Sequence, residues 1–347
     1  MRHFNSKKLA TLMESELVAC NINQDSIRHL VASLIQASLR GVDSHGINLF
    51  PHYCRAVTAG RVNANPCISI ARTGTATAVV DADHAFGHHA GAIAMQEAIS
   101  LALNSGIGAV SVRNSTHFGA AAYFGLMAPE RDCIGIVFTN ADALVKAFGA
   151  REAFFGTNPI CFTAPMATEG PFCLDMATSL VSWNKINNYR RKEQQIPEDW
   201  AFDEEGRSVT DPHIACSLNP VGGYKGFGLG MMVDILCAAL AGGEVSKDIK
   251  AMYALPLDSS KRGISHFFIA LDVSCFCGAD LFRNSVQSMA DRVRLLVPRD
   301  DGNEPMVAGD PEKRSIILRN CEGIPVDDVK YAEFLSINPV FESAVLL

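Results

Sequence analysis

The sequence predicts an α/β protein. Three observations carry that expectation. The first 40 residues place apolar side chains at helical spacing, and the middle of the chain alternates short β-rich runs with helical stretches. The composition is that of a globular chain able to bury a large core: 347 residues, 48% hydrophobic and 19% charged.

Taken in order, residues 6–40 read as two helices. Leu9, Leu12 and Met13 mark the first, and Leu30, Leu34, Ile35 and Leu39 the second, which ends at Arg40-Gly41. Asp25 or Ser26 is the expected cap of the second helix. His52, Tyr53 and Arg55 lie on the next helical stretch, closed by a turn near Gly60. Residues 75–81 read as a strand, about 90–104 as a helix, and 108–112 as a strand. A loop around His117 then leads into a helix to Met127. Residues 134–139 and 160–164 are further β-rich runs. A long apolar helix opens at Gly226 and ends near Gly242-Gly243. A strand at 267–271 and a helix at 281–296 follow, and the last 50 residues read as a wrapping tail with one short helix at 328–335. The breaks near Asn65-Pro66 and Val297-Pro298 divide the chain into 1–65 plus 298–347 and a central 66–297.

A net charge of −7 without blocks of like charge speaks against nucleic acid or an anionic membrane as partner. The 11 cysteines are scattered, with no CxxC pair, which suits free thiols in a reducing cytoplasm. Met1 to Lys8 contains no apolar run of a signal peptide, and no apolar stretch reaches the length of a membrane span. A cytoplasmic protein is expected.

Several segments carry chemistry. Ser44-His45-Gly46 sits just past a helix end. An imidazole titrates near neutrality and serves as proton donor or acceptor, and the neighbouring hydroxyl orients it or relays its proton. Asn114-Ser115-Thr116-His117-Phe118-Gly119 joins a strand to a helix, where backbone N–H groups bind anions. The loop from Gly222 to Gly230 brings glycines and Lys225 to a helix start. Asp175-Met176-Ala177-Thr178-Ser179 follows a short β run, so Asp175 either meets ribose hydroxyls or caps a helix. Gly156-Thr157-Asn158-Pro159 is a turn by composition. Asp81, Asp83, His84, His88 and His89 resemble a metal cluster, but adjacent histidines on a helix diverge, so no metal is expected.

Taken in chain order, the segments at 44–46, 114–119, 155–159, 175–179 and 222–228 resemble the malate/L-lactate/L-sulfolactate dehydrogenase family, over about residues 5–335. The resemblance implies a non-Rossmann, L-sulfolactate dehydrogenase-like α/β fold with a mixed sheet, its N-terminal helical lobe packed on C-terminal elements. It implies an NAD- or NADP-dependent oxidoreductase acting on a small molecule, a 2-hydroxy or 2-oxo acid, and a homodimer. It places His45, Ser44 and His117 at the reacting carbon. His117, Phe118, Gly119, Ala120, Asp175, Met176, Ala177 and Lys225 fall at the cofactor. Leu49, Tyr53, Thr157 and Asn158 fall around the substrate.

The chain departs from the family on the substrate side. Where the family carries an arginine that grips the substrate carboxylate, three residues beyond the glycine, this chain has Leu49, which cannot form that bidentate pair. Arg55, His52 and Lys146 are the candidates to supply the charge, and Asn184 replaces a usual glycine. The departure opens two other readings: a reductase of a cyclic imine or bulkier ketone, and a nucleotide-binding scaffold without turnover.

Overall fold

The computed structural model describes residues 2–253, 258–299 and 302–346. The chain opens with strand β1 (Arg2–Phe4), then helices α1 (Ser6–Ala19), α2 (Gln24–Leu39) and, after one 3-10 turn at Ile47–Leu49, α3 (Phe50–Thr58). α1 buries Leu9, Met13 and Leu17, one face at four-residue spacing. The cap of α2 is Asn23, whose Oδ1 accepts the Ser26 N–H at 2.8 Å. The expected caps, Asp25 and Ser26, lie inside the first turn. A cap must have extended backbone, and Asn23 has it, while Asp25 is left to favour the positive helix end.

The middle of the chain runs β2 (Ser69–Arg72), β3 (Thr77–Asp81), α4 (Gly87–Ser105), β4 (Ile107–Ser115), α5 (Ala122–Gly125) and β5 (Cys133–Thr139). It continues through β6 (Val145–Lys146), β7 (Ala153–Phe155), β8 (Ile160–Ala164), β9 (Phe172–Met176) and α6 (Trp183–Arg191). Next come β10 (Ala201–Phe202), β11 (Ser208–Val209), β12 (Ser217–Leu218), α7 (Tyr224–Asp234) and β13 (Ile264–Asp272). The last elements are α8 (Ala279–Arg294), α9 (Asp310–Glu322), β14 (Ile324–Val326) and α10 (Asp328–Ile337). The helix expected between the His117 loop and Met127 is only the single turn α5, because Gly119, at φ +76°, keeps the chain out of helical conformation before it. α9 was not legible. It starts Asp310-Pro311, which reads as a turn, and its Ile316-Ile317-Leu318 run has no helical period.

Seven strands form the main sheet in the order β2-β3-β4-β13-β5-β8-β9. Only β3 and β4 are parallel, with α4 as their crossover, and the other pairs are antiparallel. The sheet is therefore mixed and not the parallel sheet of a doubly wound dinucleotide fold. α4 covers it with small side chains, Ala90, Ala94, Ala98 and Ala102, around Met95. A second core joins the two ends of the chain: Phe50 stacks on Phe334 at 5.9 Å, Phe4 meets Phe334 edge-on at 5.7 Å, and β1 pairs with β14. A small sheet, β11-β10-β12-β6-β7, stands apart. Among the described residues no helix is long and apolar enough to cross a membrane. The ends of α2, β4 and β9 bring three loops together at one place.

Candidate active site

The first loop, Asp43 to Gly46, is held from both sides. Gly41 (φ +82°) turns the chain out of α2, and the Ile47 N–H donates to Ser38 Oγ at 2.9 Å. A side chain at Gly46 would place its Cβ 2.1 Å from that same hydroxyl, so only glycine lets the loop lie this close to α2. Arg319 of α9 bridges Asp43, with Nη2 2.9 Å from Oδ2, and donates to Ser38 O at 2.6 Å. The second loop is pinned by Thr116, which donates to Ala85 O at 2.9 Å and accepts the Gly87 N–H at 3.0 Å. Phe118 stacks on buried His266 at 4.6 Å.

These supports bring His45 and His117 face to face, rings 5.7 Å apart and 20° from parallel. His45 Nδ1 lies 2.8 Å from Ser44 Oγ. His117 Nδ1 lies 2.7 Å from the Tyr53 hydroxyl of α3 and accepts the Gly119 N–H at 3.4 Å. Two donors on Nδ1 leave the proton of the neutral ring on Nε2.

Two cavities meet here. A cleft of about 380 Å³ is lined by Gly119 to Ala122, Asp175, Met176, Ala177 and Arg40. A cavity of about 290 Å³ is walled by His117, Leu49, Leu144, Trp183 and Met252. His45, Thr157 and Ser182 line both, so the two spaces join beside the histidines.

The other expected site residues fall as follows. Tyr53 is buried against His117. Phe118 lies behind the loop, in the core. Asn158 stands behind the wall: its amide donates to Gly230 O at 2.9 Å and accepts from the Ala141 N–H at 3.2 Å, which ties α7 to the loop it faces. Lys225 is exposed on the first turn of α7 and does not line the cleft, although Val221 of the same loop does. Lys146 is turned into the small sheet, 3.2 Å from Gly206 O and over the Phe202 ring, so it brings no charge to the cavity. Asn184 donates to Ser44 O at 3.0 Å and thereby ties α6 to the first loop. Asp81, Asp83 and the nearby histidines do not converge: Asp81 holds Arg113 and Asn114, His89 meets Ser26, and His88 meets Tyr53.

Sequence reasoning missed Arg40. It is 8% exposed, lines the cleft, and its Nε has no hydrogen-bond partner among the described residues. Position alone made it the last residue of a helix. Asp175 and Glu312 of the same cleft act on it only at longer range, and a buried guanidinium with an unbonded Nε is costly unless an anion joins it. Asp175 completes this floor. It lines the cleft and its Oδ2 accepts the Ala122 N–H of α5 at 2.8 Å; it caps no helix of its own, since the next one, α6, starts at Trp183 and is capped by Ser182. Although solvent reaches it, desolvation pushes its carboxyl up to about 6.

Desolvation acts on the imidazoles in the opposite direction. It pushes His45, His29 and His52 down to about 4, and His88 and His266 down to about 3. His117 is held well below its usual value by burial first and by His45 next. These six rings are neutral when folded and take up protons near 6.5 when unfolded. Their stabilising effect is therefore complete above about pH 6.5 and is lost as the pH falls towards 4. Asp175, raised, works the other way but is one group against six. Unfolding at pH 5 should take up on the order of several protons. The melting temperature is expected to fall steeply from pH 7 to pH 5; a flat profile would contradict the buried, neutral histidines.

Two cavities thus join here, one with a small-residue floor and a carboxylate and the other apolar with paired imidazoles. The comparisons make the chain an oxidoreductase acting on a C–OH centre. The family model for malate/L-lactate dehydrogenase matches residues 4–334, and the chain belongs to that family. It is 38% identical to a malate dehydrogenase of Pyrococcus abyssi, over 87% of this chain and 85% of that one. It is 37% identical to an L-sulfolactate dehydrogenase of Methanocaldococcus jannaschii, over 87% of each. The crystal structure of malate dehydrogenase from Entamoeba histolytica superposes with a TM-score of 0.92 at 29% identity, covering 98% of both chains. The fold is thus that of these non-Rossmann dehydrogenases.

Proposed function

We propose that this chain moves a hydride between the nicotinamide of NAD or NADP and the C2 of a 2-hydroxy or 2-oxo acid. The junction of the two cavities at His45, Thr157 and Ser182 carries this reading, because hydride transfer needs two molecules in contact at one edge. The cleft suits a dinucleotide: Arg40 offers an unpaired cation for a phosphate, Asp175 keeps Oδ1 for a hydroxyl or amide, and alanines 120–122 leave room. When bound, the nicotinamide supplies or accepts the hydride.

The residues then divide the work. His117 faces the reaction cavity with Nε2, and Tyr53 holds its Nδ1. When the ring takes up a second proton, on Nδ1, the Tyr53 hydroxyl turns from donor to acceptor; in reduction this doubly protonated ring gives its Nε2 proton to the new alkoxide and keeps the one on Nδ1. Oxidation is the reverse: the tautomer with its proton on Nδ1, donated to the Tyr53 oxygen, accepts the proton of the alcohol on Nε2. An anionic substrate beside the rings raises their proton affinity, offsetting the burial that keeps them neutral in the free protein. Ser44 orients His45 at the junction.

A second reading has its own observation. Leu49, Leu144, Trp183 and Met252 make the cavity apolar, which suits a cyclic imine or a bulkier ketone. The same chemistry at His117 serves both.

Fluorescence titration with NADH and NADPH tests the proposal. Saturable binding of one is expected, weakened on the order of tenfold in Arg40→Met, since a charge-assisted contact is worth about 1.5–3 kcal/mol. A folded protein that binds neither would be a scaffold without turnover. Unchanged affinity in the variant would remove Arg40 from the site.

A further inference from the structure

Leu49, Asn184 and Tyr253 wall the reaction cavity and also a third cavity, of about 350 Å³, beyond it. Two helix faces form this third space. Asn48, His52 and Arg55 stand at i, i+4 and i+7 along the 3-10 turn and α3, on one stripe. On the other wall, α6 contributes Asn184, Asn187, Asn188 and Arg191 at i, i+3, i+4 and i+7. A helix ordinarily turns an apolar stripe inward. α6 fully buries only Ile186 and lines a cavity with amides and a guanidinium.

The charge there is one-sided. Asp43 is the one carboxylate among the described lining residues, and Arg319 already bridges it. Lys330 is matched by Glu333. Arg190 bonds only neutral oxygens, Pro212 O at 2.7 Å and Asn187 Oδ1 at 3.2 Å, and Arg191 bonds Asn188. Arg55 has no hydrogen bond or ion pair with any described residue. Three guanidiniums therefore meet one cavity without a carboxylate partner among the described residues, in a chain whose net charge is −7. The surplus of cations also reaches His52: after burial, Arg262, Arg55, Arg61 and Lys330 hold its imidazole neutral.

We infer that this cavity is the subsite for a second anionic group of the substrate, at the far end from the carbon that exchanges hydride. This inference rests on the reaction proposed above. The substrate class becomes a 2-oxo or 2-hydroxy acid with an extended, anionic tail that passes Leu49. A planar carboxylate fits the guanidinium fork. Because the tail must cross the width of a leucine side chain, 2-oxoglutarate and 2-oxoadipate should be better substrates than oxaloacetate.

The test compares wild type with Arg55→Gln and Arg191→Gln on pyruvate, oxaloacetate, 2-oxoglutarate and 2-oxoadipate. Each variant should lower kcat/KM on the two long dianions by on the order of tenfold or more, and far less on pyruvate. Calorimetric titration with glutarate, which has no reducible group, reads the subsite without turnover. It should bind wild type saturably, compete with 2-oxoglutarate, and weaken in both variants. Equal losses on pyruvate and on the long dianions would overturn the subsite. So would a wild-type protein that binds NADH but not glutarate, or glutarate that binds without competing. Glutarate binding by a protein that reduces no 2-oxo acid would keep the anion site and overturn the reaction instead.

Discussion

Replacing His117 with alanine is expected to reduce turnover by about a thousandfold, the middle of the range for losing a positioned general acid. His117 lines the reaction cavity, and its Nδ1 is spoken for by Tyr53 at 2.7 Å, so Nε2 is the nitrogen left for the substrate oxygen. His45 is its neighbour at 5.7 Å, but it lines the junction of the two cavities, and Ser44 holds its Nδ1. Tyr53→Phe should cost less, about tenfold, because it releases the ring without removing it. The alanine variant leaves a buried Tyr53 hydroxyl without a partner, which costs about 1–3 kcal/mol of stability, so its melting must be measured beside its kinetics. NADH titration of the same sample shows whether the cofactor still binds. If His117→Ala keeps full turnover while His45→Ala loses it, the proton belongs to His45 and the Ser44 relay.

Leu49→Arg is expected to raise kcat/KM for short 2-oxo acids such as pyruvate by about ten- to a hundredfold. The new guanidinium would stand between the two cavities, where Leu49 now offers only apolar surface, and a bidentate carboxylate pair is worth about 1.5–3 kcal/mol. The gain is opposed by desolvating a cation at a position only 6% exposed and by repulsion from Arg55. The same side chain would obstruct the way into the third cavity, so the long dianions should lose while pyruvate gains. A parallel change on all substrates would show that position 49 does not sort them. Unchanged kinetics on pyruvate would favour the cyclic imine or bulkier ketone.

Much of the fold was legible because it is local. Leu9 and Met13 announced α1 by spacing alone, and the β-rich run at 160–164 became β8 with the same bounds. The elements that escaped have no period to read. α9 begins with a proline and carries its apolar residues consecutively, and strands such as β10, β11 and β12 have two residues each. At the site, Ser44-His45 and His117 were found because an imidazole beside a loop glycine is a chemical signal in itself. Arg40 and the α6 stripe escaped for the opposite reason. An arginine at a helix end, or three asparagines on a polar helix, looks like solvated surface until something is packed against it.

By itself, the sequence determined the α/β class, the helices with a clear apolar stripe, the family, and the imidazole chemistry, since periodicity and side-chain identity are properties of neighbouring residues. Tertiary structure alone decided which groups share a space. It placed His117 against Tyr53, turned Lys146 into the small sheet, put Asn158 behind the wall, and left Lys225 outside the cleft. It also set the polar faces of α3 and α6 around one cavity. Each of these outcomes depends on contacts between loops and helices far apart in the chain, and whether a charge there is paired or bare follows from that packing.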